Sequence, residues 1–461
     1  MSSQKLKNGL FIFRRDYRIV DNTGLNFLNT LCENIYTIFI FTPEQVSNKN
    51  QYKSNNAVQF MCESLQDLKI EISNKGGKLH TFYGPNIKII SQLIESLDIN
   101  IVCFNCDYTP YSLSRDIEII KMCKKRNIRC TFSHDYYLRH PHTLFNAAQE
   151  PYQKFTPYYN TSLKTDFEKP APSRPIHFKY SAASLSNAIT VEDALQKFTK
   201  INPEIAVHGG RKYAIIQLKN AIKTQAQYKT THDMLKNNTS MLSAYIKFGC
   251  ISIREVCKVF HKNPEFIRQL IWRDFYANII FSFPRVIGHS LKPKYDKIRW
   301  SYNTRYFEAW KKGKTGFPIV DAGMRELNTT GYMHNRARLI VASFFIKTLL
   351  LDWKQGEKYF ATKLTDYDVA SNNGNWQWVM GGGADSQPYF RIFNPWTQSK
   401  EHHPDENYIN RWVPELKDVP VNAIHNWNTE YSNYKSAEYV APIVEYDTQK
   451  EKVLNMYKSI F

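Results

Sequence analysis

Apolar residues in the first 135 positions follow two alternating rhythms. Short runs rich in β-branched and aromatic residues, "GLFIF" (9–13), "IYTIFIF" (35–41), "KLHTFY" (78–83), "INIVCF" (99–104) and "IRCTF" (128–132), read as strands. Between them, "NAVQFMCESLQDLKIEIS", "NIKIISQLIESL" and "SRDIEIIKMCKKR" carry apolar positions at helical spacing. Strand and helix in alternation predict βαβ units, hence a parallel sheet covered on both faces. The turn after the first strand reads "FRRDYRIVDN" and holds no GxGxxG, so a dinucleotide phosphate is not expected there.

From about 136 to 200 both rhythms stop. "RHPHTLFNAAQEPYQKFTPYYN" and "KPAPSRPIHF" space prolines closely and read as a long connector draped over a surface. His140 and His142 in this stretch read as surface residues, not metal ligands. Beyond 200 the pattern is helical. "NTSMLSAYIKFG" offers Asn238, Thr239 or Ser240 as an N-cap, with Gly249 near the helix end. "PEFIRQLIWRDFYANIIF" puts Ile267, Leu270, Ile271 and Phe275 on one face, and "YMHNRARLIVASFFIKTLLLDW" does so with Met333, Ile340, Val341, Phe344 and Leu351. The expected fold is an α/β N-terminal domain with a Rossmann-like parallel sheet (1–135), a connector (136–200) and an all-α C-terminal domain (201–461).

Composition narrows the partners. The 461 residues suffice for two or three domains, and 61 Lys+Arg against 42 Asp+Glu leave a net charge of +19. Such an excess points to a polyanion, nucleic acid first and an acidic membrane surface second, against the plainer reading of a solvated basic surface. No run of about 18 apolar residues occurs and "MSSQKLKNGLFIF" has no long apolar stretch, so a soluble, non-secreted, intracellular chain is expected. The eight cysteines fit a reducing compartment. Cys103 and Cys106 form a lone CxxC in an apolar run and read as structural thiols, not zinc ligands. Only Cys250 and Cys257 lie beyond residue 130, which excludes a four-cysteine cluster site in the helical half.

The chemistry concentrates in "LTDYDVASNNGNWQWVMGGGADSQPYFRIFNP" (364–395), which crowds Asp366 and Asp368, Asn372, Asn373 and Asn375, Trp376 and Trp378, and a glycine triplet. The stretch contains neither histidine nor cysteine, so metal ligation and a nucleophile with its base are both excluded within it; no metal is expected. In the preceding helix Asn335, Arg338 and Ala342 share a face. A buried Arg338 requires a carboxylate such as Asp366, and stranding either charge costs roughly 3–5 kcal/mol. By itself that pair reads equally as an interhelical salt bridge. Trp300, Trp353, Trp376 and Trp378 add redox-capable indoles, each of which taken singly reads as core.

The ordered set "FRRDYRIVDNTGL", "FTPYY", "NTSMLSAYIKFGCIS", "LIWRDFY", "FPIVDAGMRELNTTGYMHNRARLIVASFF", "DWKQGEKYF", "DYDVASNNGNWQW" and "PYFRIFNPWTQ" resembles the photolyase/cryptochrome flavoproteins, most closely the microbial class I cyclobutane pyrimidine dimer (CPD) photolyases. The likeness runs from about residue 9 to residue 430. It implies a U-shaped FAD buried in the helical domain. Tyr228 and the "TSMLS" residues Thr239, Ser240, Met241, Leu242 and Ser243 would hold its phosphates and sugar, as a helix N-terminus with hydroxyls suits a pyrophosphate. Asn335, Arg338, Asp366, Tyr367 and Asp368 would flank the ring, with Asn372 facing the flavin N5. Trp376, Trp353 and Trp300 match an electron relay serving photoreduction. UV-damaged DNA is the implied partner, its lesion flipped out of the duplex; photolyases are among the enzymes for which base flipping is the established principle. Gln269, Trp272, Arg273, Asn335, Arg336, Trp378, Arg391 and Gln398 match lesion and DNA contacts, with the basic excess giving sequence-independent affinity. A monomer is expected.

The implied function is light-driven CPD repair by electron transfer from excited reduced FAD. The alternatives are a cryptochrome-type photoreceptor and (6-4) photoproduct repair. Two positions depart from the CPD pattern: Gln269 stands where a glutamate is usual, and Leu339 where a methionine is common. The (6-4) branch carries histidines at the positions of Asn335 and Leu339, and its chemistry needs one for proton transfer. A second, antenna chromophore is open between a deazaflavin and a folate, since the folate type's glutamate position falls on Thr109.

Overall fold

The computed structural model describes residues 5–181, 186–237, 239–402 and 407–461. Strands β1 (Leu6–Phe13), β2 (Cys32–Phe41), β3 (Leu79–Tyr83), β4 (Ile101–Asn105) and β5 (Arg129–Ser133) form one parallel sheet in the order β3-β2-β1-β4-β5. Asn8 to Phe13 are buried without a break, as a strand covered on both faces requires. The helices Asn55–Ser73, Asn86–Ser96 and Pro110–Lys125 lie where the apolar spacing places them. The helix Thr23–Leu31 is additional. It is only nine residues long and is nucleated by Asn22, whose side chain accepts from the Leu25 amide at 3.1 Å.

The connector is more structured than its prolines imply. It contains the helices Phe155–Ser162 and Val191–Phe198, and its backbone bridges Ile35 through Phe178 and Phe82 through Ala188. Phe155 stacks on Trp272 at 3.6 Å, which ties the connector to the helical half.

In the helical half the expected cap is displaced. Thr239 and Ser240 do not start the helix; it runs Ser243–Lys247 with Leu242 at the N-cap, and Asn238 lies outside the described residues. The reason is Met241, whose φ of +52° breaks the helical path before Leu242. Gly249 has φ +64° and passes so close to the loop after β1 that a Cβ there would meet the Arg15 carbonyl at 2.4 Å. The long helix expected over 332–353 is interrupted: Asn335–Ser343 is α-helical, Phe344–Thr348 is a π turn, and Leu351 bridges Ser301.

Two apolar clusters build the helical half, and one of them crosses the domain seam. One joins a sheet face to helices between residues 211 and 282; the other is built from residues between 235 and 457. Charges buried at the seam are paired: Arg18 on Asp135 (2.6 Å), and Arg254 on Asp135 (2.8 Å) and Asp21 (3.0 Å).

Candidate functional site

The helix Val369–Met380 begins at Asp368, whose carboxylate accepts from the Ser371 amide at 3.0 Å. It forms one wall of a cavity of about 640 Å³, within the usual range for cofactor sites. The opposite walls come from the helices Ser243–Lys247, Pro264–Ser282 and Asn335–Ser343.

Three polar anchors fix this chamber. Arg338 donates through Nη2 to both Asp366 oxygens (2.9 and 3.2 Å) and through Nε to the Met333 carbonyl (2.9 Å). Asp366 also accepts from the Ser243 hydroxyl at 2.7 Å, which links the 243–247 helix to the aspartate segment. Asp368 pairs with Arg15 at 2.9 Å, and Arg15 reaches Asp107 at 3.2 Å, so the loop after β1 braces the cavity from the sheet domain. That pairing holds the Asp368 carboxyl down at about 2 despite burial. The third anchor is Asn372, whose amide nitrogen donates to the Glu357 carbonyl and to its Oε1, each at 3.0 Å. Burial pushes the Glu357 carboxyl up to about 7.

Of the three relay indoles expected from sequence, Trp376 alone lines the cavity. Trp376 is buried and packs on Gly356, where an added Cβ would lie 2.2 Å from the ring. Trp353 begins the same helix, Trp353–Lys363, three residues earlier and therefore on the same face. Trp300 is half-buried, beside the bridge in which the Ser301 amide donates to Leu350 at 2.8 Å.

Two family models match the chain: "DNA photolyase" over residues 10–175, and "FAD binding domain of DNA photolyase" over 266–459. A deoxyribodipyrimidine photo-lyase of Halobacterium salinarum is 32% identical, with 97% of this chain and 98% of that protein covered. The chain belongs to the DNA photolyase family. Among solved structures, an archaeal photolyase from Sulfolobus tokodaii with two FAD molecules superposes with a TM-score of 0.89 at 40% identity, over 98% of this chain and 100% of that one. A Synechocystis cryptochrome gives 0.88 at 25%, over 98% and 100%.

The photolyase cavity gathers most of the residues singled out from sequence. Tyr228, Thr239, Ser240, Leu242, Ser243, Gln269, Trp272, Arg273, Asn335, Arg338, Asp366, Tyr367, Asp368, Asn372, Trp376 and Trp378 all line it, and so does Leu339. Met241, Arg336, Arg391, Gln398, Trp300 and Trp353 do not. Arg336 is engaged by Asp233, and Arg391 is exposed. The Arg273 guanidinium lies 4.2 Å over the Tyr137 ring and donates to the Tyr136 carbonyl, turned toward the connector. The five-residue 243–247 helix is too short for a large dipole, and its Ser243 hydroxyl is given to Asp366.

The cavity also differs from the histidine-free site that the 364–395 stretch implies. His232 and His334 line it. Both are committed: His334 Nδ1 accepts from the Arg336 amide at 3.1 Å, with burial pushing its imidazole down to about 4, and His232 Nδ1 sits 2.9 Å from the Tyr228 carbonyl. Arg15, Glu357 and Lys247 are functional candidates that sequence reasoning did not single out, although "FRRDYR", "DWKQGEKYF" and "AYIKFG" each contain one.

These residues fit FAD. The cavity is lined by the hydroxyls of Thr239 and Ser240, the Asp366–Arg338 pair, the Asn372 amide and the Trp272 and Trp376 rings. Among the described residues no helix is long and apolar enough to cross a membrane, and no group of three or more His, Cys, Asp or Glu is arranged to hold a metal.

Proposed function

We propose that this chain is a light-driven lyase that splits cyclobutane pyrimidine dimers in UV-damaged DNA, with FAD in the 640 Å³ cavity. The observation that carries this reading is the Arg338–Asp366–Ser243 and Asn372–Glu357 framework inside the helical domain. What FAD supplies when bound is one photo-driven electron, lent to the dimer and returned.

The chain's own residues do the rest. Asp366, paired with Arg338, and Asp368, paired with Arg15, present acceptors to ring N–H groups. Asn372 spends both amide hydrogens on Glu357, so its carbonyl oxygen is the group left for the ring. Thr239 and Ser240 supply hydroxyls for the phosphates, while Ser243 donates its hydroxyl hydrogen to Asp366 and braces that carboxylate. Trp272 is covered on one face by Phe155 and offers the cavity the other, while Trp378 lies on the helix across from it. Stacking on such faces, at roughly 1–3 kcal/mol per base, offsets the cost of extruding the dimer. Gln269 and Asn335 are exposed where they line the cavity, and Arg391 is exposed outside it, suiting polar contacts to the lesion and its backbone. Trp376, Trp353 and Trp300 form the relay that refills the cofactor with electrons from the surface.

Gln269, Asn335 and Leu339 carry no titratable proton, and the two nearby histidines are held in other contacts. CPD repair needs no proton transfer, so the site suits it better than (6-4) repair. A second cavity of about 430 Å³ between the helices Pro110–Lys125 and Pro264–Ser282, lined by Tyr108, Ile117, Ile280 and Phe281, supports a second light-absorbing group. Illuminating the reduced protein with a CPD oligonucleotide, and in parallel with a (6-4) oligonucleotide, tests the reading. Repair of the first alone supports it; repair of neither, by a protein that holds FAD, makes the chain a photoreceptor.

A further inference from the structure

Lys247 ends the helix Ser243–Lys247 and lines the main cavity. Its ammonium sits 3.4 Å from the centroid of the Phe248 ring and donates no hydrogen bond to any described residue. The charged groups that face it are Arg15 from the loop after β1, Asp107 from the loop after β4, and Asp366 and Asp368 from the segment before the 369–380 helix. Each of those carboxylates is already engaged: Asp366 by Arg338 and Ser243, Asp368 by Arg15 and the Ser371 amide, Asp107 by Arg15 and the Tyr108 amide (2.8 Å). The ammonium therefore has an aromatic ring but no hydrogen-bond acceptor among the described residues, on a residue that lines the cavity, and burial pulls this amine down to about 7.

The surroundings decide what kind of acceptor belongs there. The hydroxyls suited to a phosphate, Thr239 and Ser240, lie before the other end of the same short helix. A ring edge that carries both N–H and C=O groups matches a wall that carries both aspartate oxygens and a lysine donor. A flavin ring is neutral when oxidised and carries a negative charge when reduced and deprotonated at N1. A neighbouring cation in a water-poor site thus discriminates between the two forms.

We propose that Lys247 contacts the cofactor ring and favours its reduced, anionic form over the oxidised one. This rests on the cavity holding FAD. It adds to the residues brought together from sequence a cation that sets the resting redox state, in a protein whose proposed work begins from reduced cofactor.

The test uses the full chain with Lys247→Met and Lys247→Arg. Binding of oxidised FAD is measured by fluorescence, and the reduced-to-oxidised preference by anaerobic spectral titration against a reference dye between pH 6 and 9. The Met variant is expected to bind oxidised FAD within about threefold of the parent and to lose about tenfold of its preference for the reduced form. It also loses the pH dependence of that preference, and Arg restores most of it. Equal weakening of both forms, at unchanged thermal stability, would make Lys247 a phosphate or scaffold contact and overturn the proposal. No change in either does the same. A parent chain that takes up no FAD defeats the functional reading itself; the other failures leave that reading standing.

Discussion

The side-chain amide of Asn372 donates both of its hydrogens to one residue, Glu357, at the main-chain carbonyl and at Oε1. Asn372 therefore cannot rotate freely to suit a ligand; its carbonyl is aimed by the glutamate. Burial raises the Glu357 carboxyl from 4.5 to about 7, so between those values the folded protein holds a proton that the unfolded chain has released. Unfolding free energy must then fall as pH rises from about 4.5 to 7, by on the order of 3 kcal/mol from this group. Glu357→Gln removes that component. Urea denaturation across this pH range checks it, and an unaltered slope in the variant would clear Glu357 of the effect.

Asp366 receives Arg338 and Ser243 at once, so Asp366→Asn strands a guanidinium that is only partly open to solvent. The expected cost is about 2 kcal/mol, screened below the fully buried limit. The variant also loses most co-purifying FAD. Thermal unfolding and the 450 nm absorbance per chain report the two effects separately. Stability lost with full FAD content would reduce the pair to an interhelical brace.

The parts of this arrangement legible in the sequence are those governed by near neighbours in the chain. All five strands follow from apolar rhythm, and Asp366, Asp368, Asn372 and Trp376 stand together in one stretch. The parts missed depend on partners far away or on one backbone angle. Arg15 meets Asp368 across 353 positions, and nothing local to "FRRDYR" announces it. Glu357 reads as a surface residue of a charged helix until Asn372 is placed against it. The displaced cap at Leu242 follows from the positive φ of Met241, a conformation that composition does not signal. Thr23–Leu31 is too short for periodicity to detect, and Asn22 at its cap is its one local signal.

Trp376 stands between the cavity and the helix that begins with Trp353, its ring against Gly356. Trp376→Phe is expected to slow photoreduction of the oxidised cofactor at least tenfold while leaving repair by chemically pre-reduced protein nearly intact. Gly356→Ala crowds the same ring and should slow photoreduction too. Laser-flash absorption measures the first step and single-turnover repair the second. Equal loss in both assays from Trp376→Phe would contradict the relay.

Lys347 sits in the π turn Phe344–Thr348, buried, with Nζ 2.7 Å from the Arg391 carbonyl. Burial, and then the nearby Arg391 guanidinium, pulls its ammonium from 10.5 down to about 7. The unfolded chain keeps that proton up to 10.5 and the folded protein gives it up near 7, so this group adds stability as pH rises through that window. Lys347→Met is therefore expected to be more stable than the parent at pH 7, by on the order of 4 kcal/mol, and to lose the rise toward pH 10. The same variant cuts the tether on the segment that carries exposed Arg391, and affinity for DNA should fall several-fold with the cofactor spectrum unchanged. Lys347 thus ties down the main chain at the exposed Arg391, the residue that the proposed function sets against DNA. A Met variant that gains stability and binds DNA as tightly as the parent would show the tether to be idle.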